Sequence, residues 1–484
     1  MANRSGSPGG PAGVQGRRIG DRRVPVEQVK PEDYQVGGPM RIRRPPSPAA
    51  VLLLGFTVLI VIGTILLALP VATATGTAPD FLTALFTATS AVCVTGLVVV
   101  DTATFWSPFG QTVILALIQI GGFGFMTGST LLLFLLVGRR TALSNRLLVQ
   151  ATTDTPKLGD VASLIRRVGA FTLVVEAIGA LVLAIAFLAR GEQPLHAAIS
   201  GVFHSISAFN NAGFDLMGDF RSLTGYTREP AVLIPIALLI ILGALGFAIV
   251  GDIAAKRRWT RLALETKVVA LTSVALIVGG TVLIGVFEWH NPGTLGQLEP
   301  RDRVVNAFFM SATARTAGFN SIPMTGLAEI SLLILIPIMF IGGASGSTAG
   351  GIKVNTFTVL LIAILSTARG SPSATAFGRR IPHMVIYRAV AVALLSVAVA
   401  FAVTLGLVLA SEGRLIDRAF EAVSALATVG LSTGLTPTLP VQAQLMLVAA
   451  MFVGRLGPLT LVIALTARAR PMSNRPAVET MRIG

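Results

Sequence analysis

Val94-Thr95-Gly96-Leu97 is a short stretch that recurs three more times along the chain. The later copies are Asn211-Ala212-Gly213-Phe214, Thr316-Ala317-Gly318-Phe319 and Thr428-Val429-Gly430-Leu431. Their glycines are spaced by 117, 105 and 112 residues. A short apolar run with small residues precedes each tetrapeptide, and a polar stretch and then a long apolar run follow it. This repetition predicts four similar units around one axis.

The composition indicates a membrane protein. Of the 484 residues, 53% are hydrophobic and only 13% are charged, and the mean hydropathy is +0.77. A helix that spans the bilayer needs about 20 apolar residues, and eight stretches are candidates. They are 50–70, 109–137, 168–188, 231–251, 267–287, 328–366 (interrupted), 384–410 and 443–467. We therefore predict an all-α polytopic membrane protein.

The distribution of charge predicts how the chain crosses the membrane. A net charge of +15 and a pI near 11.3 are compatible with nucleic-acid binding, but Lys and Arg cluster in alternate connections between the spans. By the positive-inside rule this pattern places both termini in the cytoplasm and all four tetrapeptides toward the outside. Anionic membrane lipid is then an expected partner of these basic residues, and no nucleic acid is expected.

The apolar run before each tetrapeptide is too short to cross a membrane. These runs are Phe81–Cys93, Leu195–Asn210, Arg303–Arg315 and Asp417–Ala427. About 12 helical residues reach only ~18 Å, so each run has to enter and return on the same face. Non-helical backbone at membrane depth is tolerated where it is buried in protein or lines a wet cavity. We predict four tandem helix–pore loop–helix repeats around one pseudo-fourfold pore.

These repeats divide the chain into segments. We predict a disordered basic cytoplasmic arm, four repeats and a cytoplasmic tail: 1–48, then 49–138, 160–253, 264–367 and 383–468, then 469–484.

The tetrapeptides suit the binding of a dehydrated cation. A ring of backbone carbonyls replaces the water of an ion without placing a fixed charge in the pore, and glycine adopts the required positive φ without steric strain. The short helices also direct their partially negative carboxyl ends toward the pore centre. The candidate ion-binding residues are Val94, Thr95, Gly96, Asn211, Ala212, Gly213, Thr316, Ala317, Gly318, Thr428, Val429 and Gly430.

In this context the four tetrapeptides resemble the selectivity filters of the Trk/Ktr/HKT superfamily of potassium-uptake proteins, and most of all the KtrB-type membrane subunit. The resemblance covers about residues 50–470. In plant relatives a Ser at the first filter position accompanies sodium selectivity, whereas all four positions are Gly here. The resemblance therefore implies a potassium-selective, channel-like uptake protein in the bacterial plasma membrane.

The same resemblance implies partners. It implies a homodimer on a cytosolic ring of RCK-type regulatory subunits, which bind ATP or ADP, while this chain binds no nucleotide itself. It leaves Na⁺ open as an activator.

A glycine-rich segment interrupts the long run that follows the third tetrapeptide. Its ten residues are Gly342, Gly343, Ala344, Ser345, Gly346, Ser347, Thr348, Ala349, Gly350 and Gly351. Each of its five glycines disfavours helix by about 1 kcal/mol relative to Ala. The segment resembles the family's intramembrane gating loop, and a static kink is the alternative. A phosphate-binding loop does not fit, because Ile352 separates the last glycine from Lys353.

Four ionisable residues lie at membrane depth. Arg455 is expected near the middle of an unbroken last span, where a charge is a functional candidate by default. The resemblance implies a barrier or gate partner, and the alternative is a structural Arg that binds loop carbonyls. Lys353 has the same two interpretations. Arg315 is expected to point away from the axis toward a carboxylate or carbonyls, and the sequence assigns no partner to Glu176.

Other functions fit the sequence less well. The four histidines (His196, His204, His290 and His383) are scattered, and no catalytic motif surrounds them, so an enzyme is not expected. A Na⁺- or H⁺-coupled secondary transporter should have broken helices at corresponding positions of its repeats. Because one clear break is visible, in the third unit, the sequence favours a continuous pore. A regulatory scaffold would leave the four glycines unexplained.

Overall fold

A computed structural model describes residues 48–138 and 158–457. This part of the chain forms fourteen α-helices, which are α1 Pro48–Leu67, α2 Phe81–Val92, α3 Thr102–Phe105, α4 Pro108–Gly138, α5 Leu158–Ala189, α6 Pro194–Phe209, α7 Pro230–Lys256, α8 Leu264–Glu288, α9 Pro300–Thr313, α10 Glu329–Phe340, α11 Val354–Ala368, α12 His383–Ala410, α13 Leu415–Leu426 and α14 Val441–Leu456. Two short strands, β1 Thr375–Ala376 and β2 Arg379–Arg380, pair as an antiparallel hairpin between α11 and α12. Residues 1–47 of the predicted cytoplasmic arm (1–48) and the whole of the predicted tail (469–484) lie outside the described residues.

The helices follow the order that the repeats predict. Each unit contains a long first helix (α1, α5, α8 and α12), a short helix (α2, α6, α9 and α13), a tetrapeptide and a second helix. The second helix is α4 in unit 1, α7 in unit 2, the pair α10 and α11 in unit 3, and α14 in unit 4. The short helices start and end within three residues of their predicted bounds.

Five described helices are long and apolar enough to cross a membrane. They are Pro108–Met126, Ile165–Ala189, Pro230–Lys256, Leu264–Glu288 and His383–Ala410. The other predicted spans are occupied by α1, which has an apolar stretch over Leu52–Leu67, and by the shorter apolar helices Glu329–Phe340, Val354–Ala368 and Val441–Leu456. Several of them are shortened for a visible reason: the glycine-rich segment divides α10 from α11, and α14 stops at Leu456.

Two predictions about the second helices are wrong. The predicted span over 443–467 is interrupted, because α14 ends at Leu456 and Gly457 has a φ of +81°. Arg455 therefore lies in the last turn of α14. The prediction that only unit 3 is interrupted also fails, since Gly246 inside α7 has a φ of +74° and a ψ of 161°. A residue with these angles breaks the regular ladder of helical hydrogen bonds.

Glycines in three second helices touch the end of the short helix in their own unit. A Cβ added to Gly121 would lie 2.1 Å from the carbonyl oxygen of Val92, the last residue of α2. The corresponding distances are 1.9 Å between Gly243 and the oxygen of Phe209 and 1.7 Å between Gly454 and the oxygen of Leu426. Because no side chain fits at these points, the backbone contact fixes where each short helix ends.

A single methyl group at Gly243 tests this packing. Gly243→Ala should destabilise the protein by about 1–3 kcal/mol, because the new methyl displaces packed backbone. The matched control is Gly251→Ala in the same helix, where an added Cβ meets no atom within 4 Å. The measurement is the midpoint of thermal unfolding in detergent, followed by size-exclusion chromatography. Equal midpoints for the two variants would contradict the close contact.

Candidate functional site: a ring of four glycines and the loop packed against it

The four tetrapeptides have the same backbone conformation. The first residue of each is left-handed, with φ of 56° at Val94, 59° at Asn211, 72° at Thr316 and 50° at Thr428. The glycine of each also has a positive φ, from 71° at Gly213 to 93° at Gly430. Non-glycine residues with positive φ are uncommon and are strained when branched. Their recurrence at one position in four units therefore indicates a shared structural requirement.

The four glycines form a closed ring in chain order. A Cβ added to Gly96 would lie 2.3 Å from the Ala212 oxygen, and one added to Gly213 would lie 2.6 Å from the Ala317 oxygen. In the same way, a Cβ on Gly318 would lie 2.6 Å from the Val429 oxygen.

The last contact of the ring returns to the first unit. A Cβ on Gly430 would lie 2.2 Å from the oxygen of Thr95, the residue that precedes Gly96. Each glycine thus faces the backbone of the next unit. We call Gly96, Gly213, Gly318 and Gly430 the glycine ring.

Serine side chains support the ring in three units. The amide of Gly96 donates a hydrogen bond to Ser90 Oγ (3.1 Å), and that of Gly430 donates to Ser424 Oγ (3.2 Å). In unit 2, Ser207 Oγ donates to the carbonyl oxygen of Phe214 (2.7 Å). Unit 3 has Ala312 at the corresponding position and lacks this support.

The ring offers an environment for a cation without a fixed charge of its own. The first three residues of every tetrapeptide are buried, and the backbone oxygen of the second residue is the atom closest to a Cβ built on the neighbouring glycine. The short helices end next to the ring, so that their carboxyl ends add negative potential there. Among the described residues, no group of three or more His, Cys, Asp or Glu side chains is arranged to hold a metal ion.

The glycine-rich segment of unit 3 is a closed loop between α10 and α11. Its two ends pair with each other, since Gly342 N donates to the Ile352 oxygen (2.9 Å) and Ile352 N donates to the Phe340 oxygen (3.0 Å). Val354 N completes the base by donating to the Gly343 oxygen (3.0 Å). We call residues 342–351 the loop.

The loop is bound to the broken helix of unit 2. Ala344 N donates to the Ala244 oxygen (2.8 Å), and Thr348 N donates to the Gly243 oxygen (3.3 Å). Both acceptors lie just before Gly246, and a Cβ on Gly246 would lie 3.1 Å from the Gly346 oxygen. The break in α7 therefore forms a docking point for the loop, which the sequence analysis did not predict.

The loop also contacts the residues that open the tetrapeptides. Thr348 Oγ1 donates to Asn211 Oδ1 (2.9 Å) and lies 3.2 Å from the Phe209 oxygen. Gly350 N donates to Thr316 Oγ1 (3.2 Å). The loop and the glycine ring are thus joined directly through side chains of units 2 and 3.

Two cationic side chains hold the loop from its other side. Arg455 Nη1 donates to the Thr348 oxygen (2.5 Å), and Lys353 Nζ donates to the Ala349 oxygen (2.5 Å). Both cations stack over the ring of Phe125, at 4.4 Å for Arg455 and 4.8 Å for Lys353. Residues of units 1, 3 and 4 therefore meet at one point, beside a cavity of about 230 Å³ that all three side chains line.

Two buried ionisable residues whose partners the sequence did not identify are now placed. Arg315 Nη2 donates to Ser273 Oγ (3.3 Å) and to the Gly342 oxygen at the base of the loop (3.1 Å). Glu176 accepts hydrogen bonds from the side-chain amides of Gln119 (3.0 Å) and Asn210 (2.9 Å). Arg315 thus binds a carbonyl and a hydroxyl group, and Glu176 joins unit 1 to the end of α6.

The chain is similar to known cation transport proteins. Residues 50–474 match the family model described as TrkH, cation transport protein. Ktr system potassium uptake protein B of Bacillus subtilis is 40% identical over 423 residues, covering 86% of this chain and 93% of the relative. Potassium/sodium uptake protein NtpJ of Enterococcus hirae is 36% identical over 436 residues, covering 89% and 95%.

A solved structure has the same fold. The potassium transporter TrkH from Vibrio parahaemolyticus superposes with a TM-score of 0.69, covering 89% of this chain and 86% of that protein at 19% sequence identity. This likeness confirms the predicted all-α membrane fold.

Proposed function

The chain belongs to the TrkH family of cation transport proteins, and from that premise we propose that it takes up potassium ions through a channel-like pore. It is a transport protein by family, as the resemblance implied. Relatives named for potassium uptake support the choice of ion. The observation that carries the pore mechanism is the closed ring of four glycines, one from each unit.

We propose that the tetrapeptides form the selectivity filter. Potassium would bind to backbone oxygens of residues Val94–Gly96, Asn211–Gly213, Thr316–Gly318 and Thr428–Gly430. Two constraints support this assignment: the close approach of neighbouring glycines and their positive φ, which together leave backbone as the lining of the ring. A filter of carbonyl dipoles distinguishes K⁺ from Na⁺ by the number and placement of its oxygens.

We propose that the loop, residues 342–351, is the gate. Its hydrogen bonds to Asn211 and Thr316, the first residues of two tetrapeptides, support this role. Arg455 and Lys353 bind the carbonyl oxygens of Thr348 and Ala349 in the loop, and in the proposed gate they would add positive charge beside the pore. The structural and electrostatic interpretations of Arg455 are therefore compatible, since the same guanidinium does both.

The name of one relative supports a proposal about the proteins that surround the pore. One relative is a component of a Ktr system, so we propose a homodimer in the bacterial plasma membrane with a cytosolic regulatory ring that binds ATP or ADP. Nucleotide binding would then belong to the partner and not to this chain. NtpJ is named for potassium and sodium, and a role for Na⁺ as an activator remains part of the proposal.

A coupled transporter is the second candidate, and one observation favours it. Breaks at Gly246 and Gly457, in addition to the loop, place interruptions in three of the four second helices. Alternating-access transporters use such interruptions in corresponding positions of their repeats. The closed glycine ring favours the pore, because a rocking mechanism gives no reason for four backbones to meet at one axis.

Flux into proteoliposomes tests the filter. Gly96→Ser should lower the K⁺/Na⁺ preference by about tenfold or more, equivalent to ~1.4 kcal/mol, because the new side chain meets the Ala212 oxygen and requires a φ of +89°. The control is Gly279→Ser in α8, where an added Cβ meets no atom within 4 Å. Wild-type uptake should be electrogenic and need only a K⁺ gradient. Dependence on a Na⁺ or H⁺ gradient, or an unaffected Gly96→Ser variant, would reject the pore in favour of the transporter.

The gate has a separate test in the isolated chain. Thr348→Val keeps the size of the side chain and removes the hydroxyl that binds Asn211, so it should raise K⁺ flux by about fivefold, the scale of one hydrogen bond. Ser345→Ala, a change in the same loop, is the control because the Ser345 hydroxyl makes none of these contacts to the filter. Unchanged flux in Thr348→Val, with normal folding, would show that the loop does not limit permeation.

A further inference from the structure

Two ionisable residues behind the glycine ring occupy the same position in different units. His204 lies nine residues before Gly213, and Glu421 lies nine residues before Gly430. Both are completely buried, on α6 and α13 respectively. Neither contacts the loop, and neither was assigned a role by the sequence.

Each side chain accepts a hydrogen bond from the backbone amide of the residue three positions after the glycine of its own unit. In unit 2, Leu216 N donates to His204 Nε2 (3.3 Å). In unit 4, Thr433 N donates to Glu421 Oε1 (3.0 Å). The repetition of one contact with two chemically different acceptors indicates that the position, and not the residue type, is what the two units share.

The surroundings fix each side chain as an acceptor. His204 Nδ1 lies 2.7 Å from the backbone carbonyl oxygen of Ser200. Because a carbonyl oxygen can only accept, Nδ1 has the proton and Nε2 is free to accept from the Leu216 amide. Glu421 also accepts hydrogen bonds from Ser432 Oγ (2.5 Å) and Thr436 Oγ1 (2.6 Å). Hydrogen bonds within its own unit therefore orient each of these two side chains.

Units 1 and 3 have other residue types at this position. Phe309 holds the position in unit 3 and has no acceptor atom, and Thr87 holds it in unit 1. Because the ring runs through units 1, 2, 3 and 4 in order, units 2 and 4, which contain His204 and Glu421, lie opposite each other. The chain leaving the ring is thus tied to its short helix on two opposite sides.

We propose that His204 and Glu421 are positioning residues for ion selectivity, which hold the outer half of the filter at the spacing that suits K⁺. This inference rests on the proposed potassium pore. A carbonyl ring that relaxes inward accommodates a smaller ion, so fixing the chain just beyond the glycines resists collapse around Na⁺. His204 and Glu421 act on the ion only through the backbone of residues 214–216 and 431–433.

Paired substitutions test the inference through rescue. His204→Phe keeps an aromatic ring among Phe187 and Phe203 but removes the acceptor, whereas His204→Gln retains an amide that donates to Ser200 and accepts from Leu216. Glu421→Leu removes the acceptor for Thr433 and also for Ser432 and Thr436, whereas Glu421→Gln keeps an acceptor oxygen for Thr433. The control is Phe309→Leu, a buried change at the same position of unit 3.

The readout is the K⁺/Na⁺ permeability ratio in proteoliposomes, with thermal unfolding measured on the same preparations. His204→Phe and Glu421→Leu should each lower the ratio by about fivefold or more, because each loses at least the hydrogen bond to the backbone amide, which is worth about 1 kcal/mol. Both Gln variants should restore it, and Phe309→Leu should alter stability alone. If His204→Phe does not fold, the two Glu421 variants decide the outcome.

The possible failures are distinguishable. A wild-type protein without K⁺ preference would remove the proposed function itself. Wild-type preference with an unchanged ratio in folded Glu421→Leu, or a Gln variant as impaired as its apolar counterpart, would overturn the positioning role and leave the pore intact.

Discussion

Four backbones meet at the glycine ring with no space for a side chain, and the rest of the structure depends on this contact. A Cβ at any of the four glycines would fall within 2.6 Å of the next unit's carbonyl oxygen. To bring four separated segments so close, each short helix has to end at a fixed point. The contacts of Gly121, Gly243 and Gly454 with the last carbonyls of the short helices provide that registration in three units.

Unit 3 departs from the other three in several ways, and two of these departures involve the loop. It lacks the serine that supports the ring, its second helix is divided, and Arg315 binds the base of the loop at Gly342. Two other units bind that loop directly, unit 2 through the carbonyls before Gly246 and unit 4 through Arg455. Unit 1 contributes indirectly, because Phe125 packs against the Arg455 and Lys353 side chains that bind the loop. A pseudo-fourfold frame thus surrounds one asymmetric element, which suits a pore with a single gate.

The sequence predicts the parts of this arrangement that depend on local pattern. The four tetrapeptides, the short helices before them and the glycine-rich loop all follow from spacing and composition. The break at Gly246 does not, because a single glycine in an apolar run is common in membrane helices and only the docked loop explains its angles. The end of α14 at Gly457 was missed for the same reason. The partners of Arg315, Glu176, His204 and Glu421 lie on other elements, or beyond a turn, and require the fold to be known.

The central claim is that potassium ions bind on the axis of the glycine ring. Anomalous diffraction from crystals soaked in Rb⁺ or Tl⁺, which substitute for K⁺, tests it most directly. The expected result is anomalous density centred between Gly96, Gly213, Gly318 and Gly430, which is lost when the soak is made with excess K⁺. Density at other sites with none on this axis would contradict the assignment of the ring as the ion-binding filter.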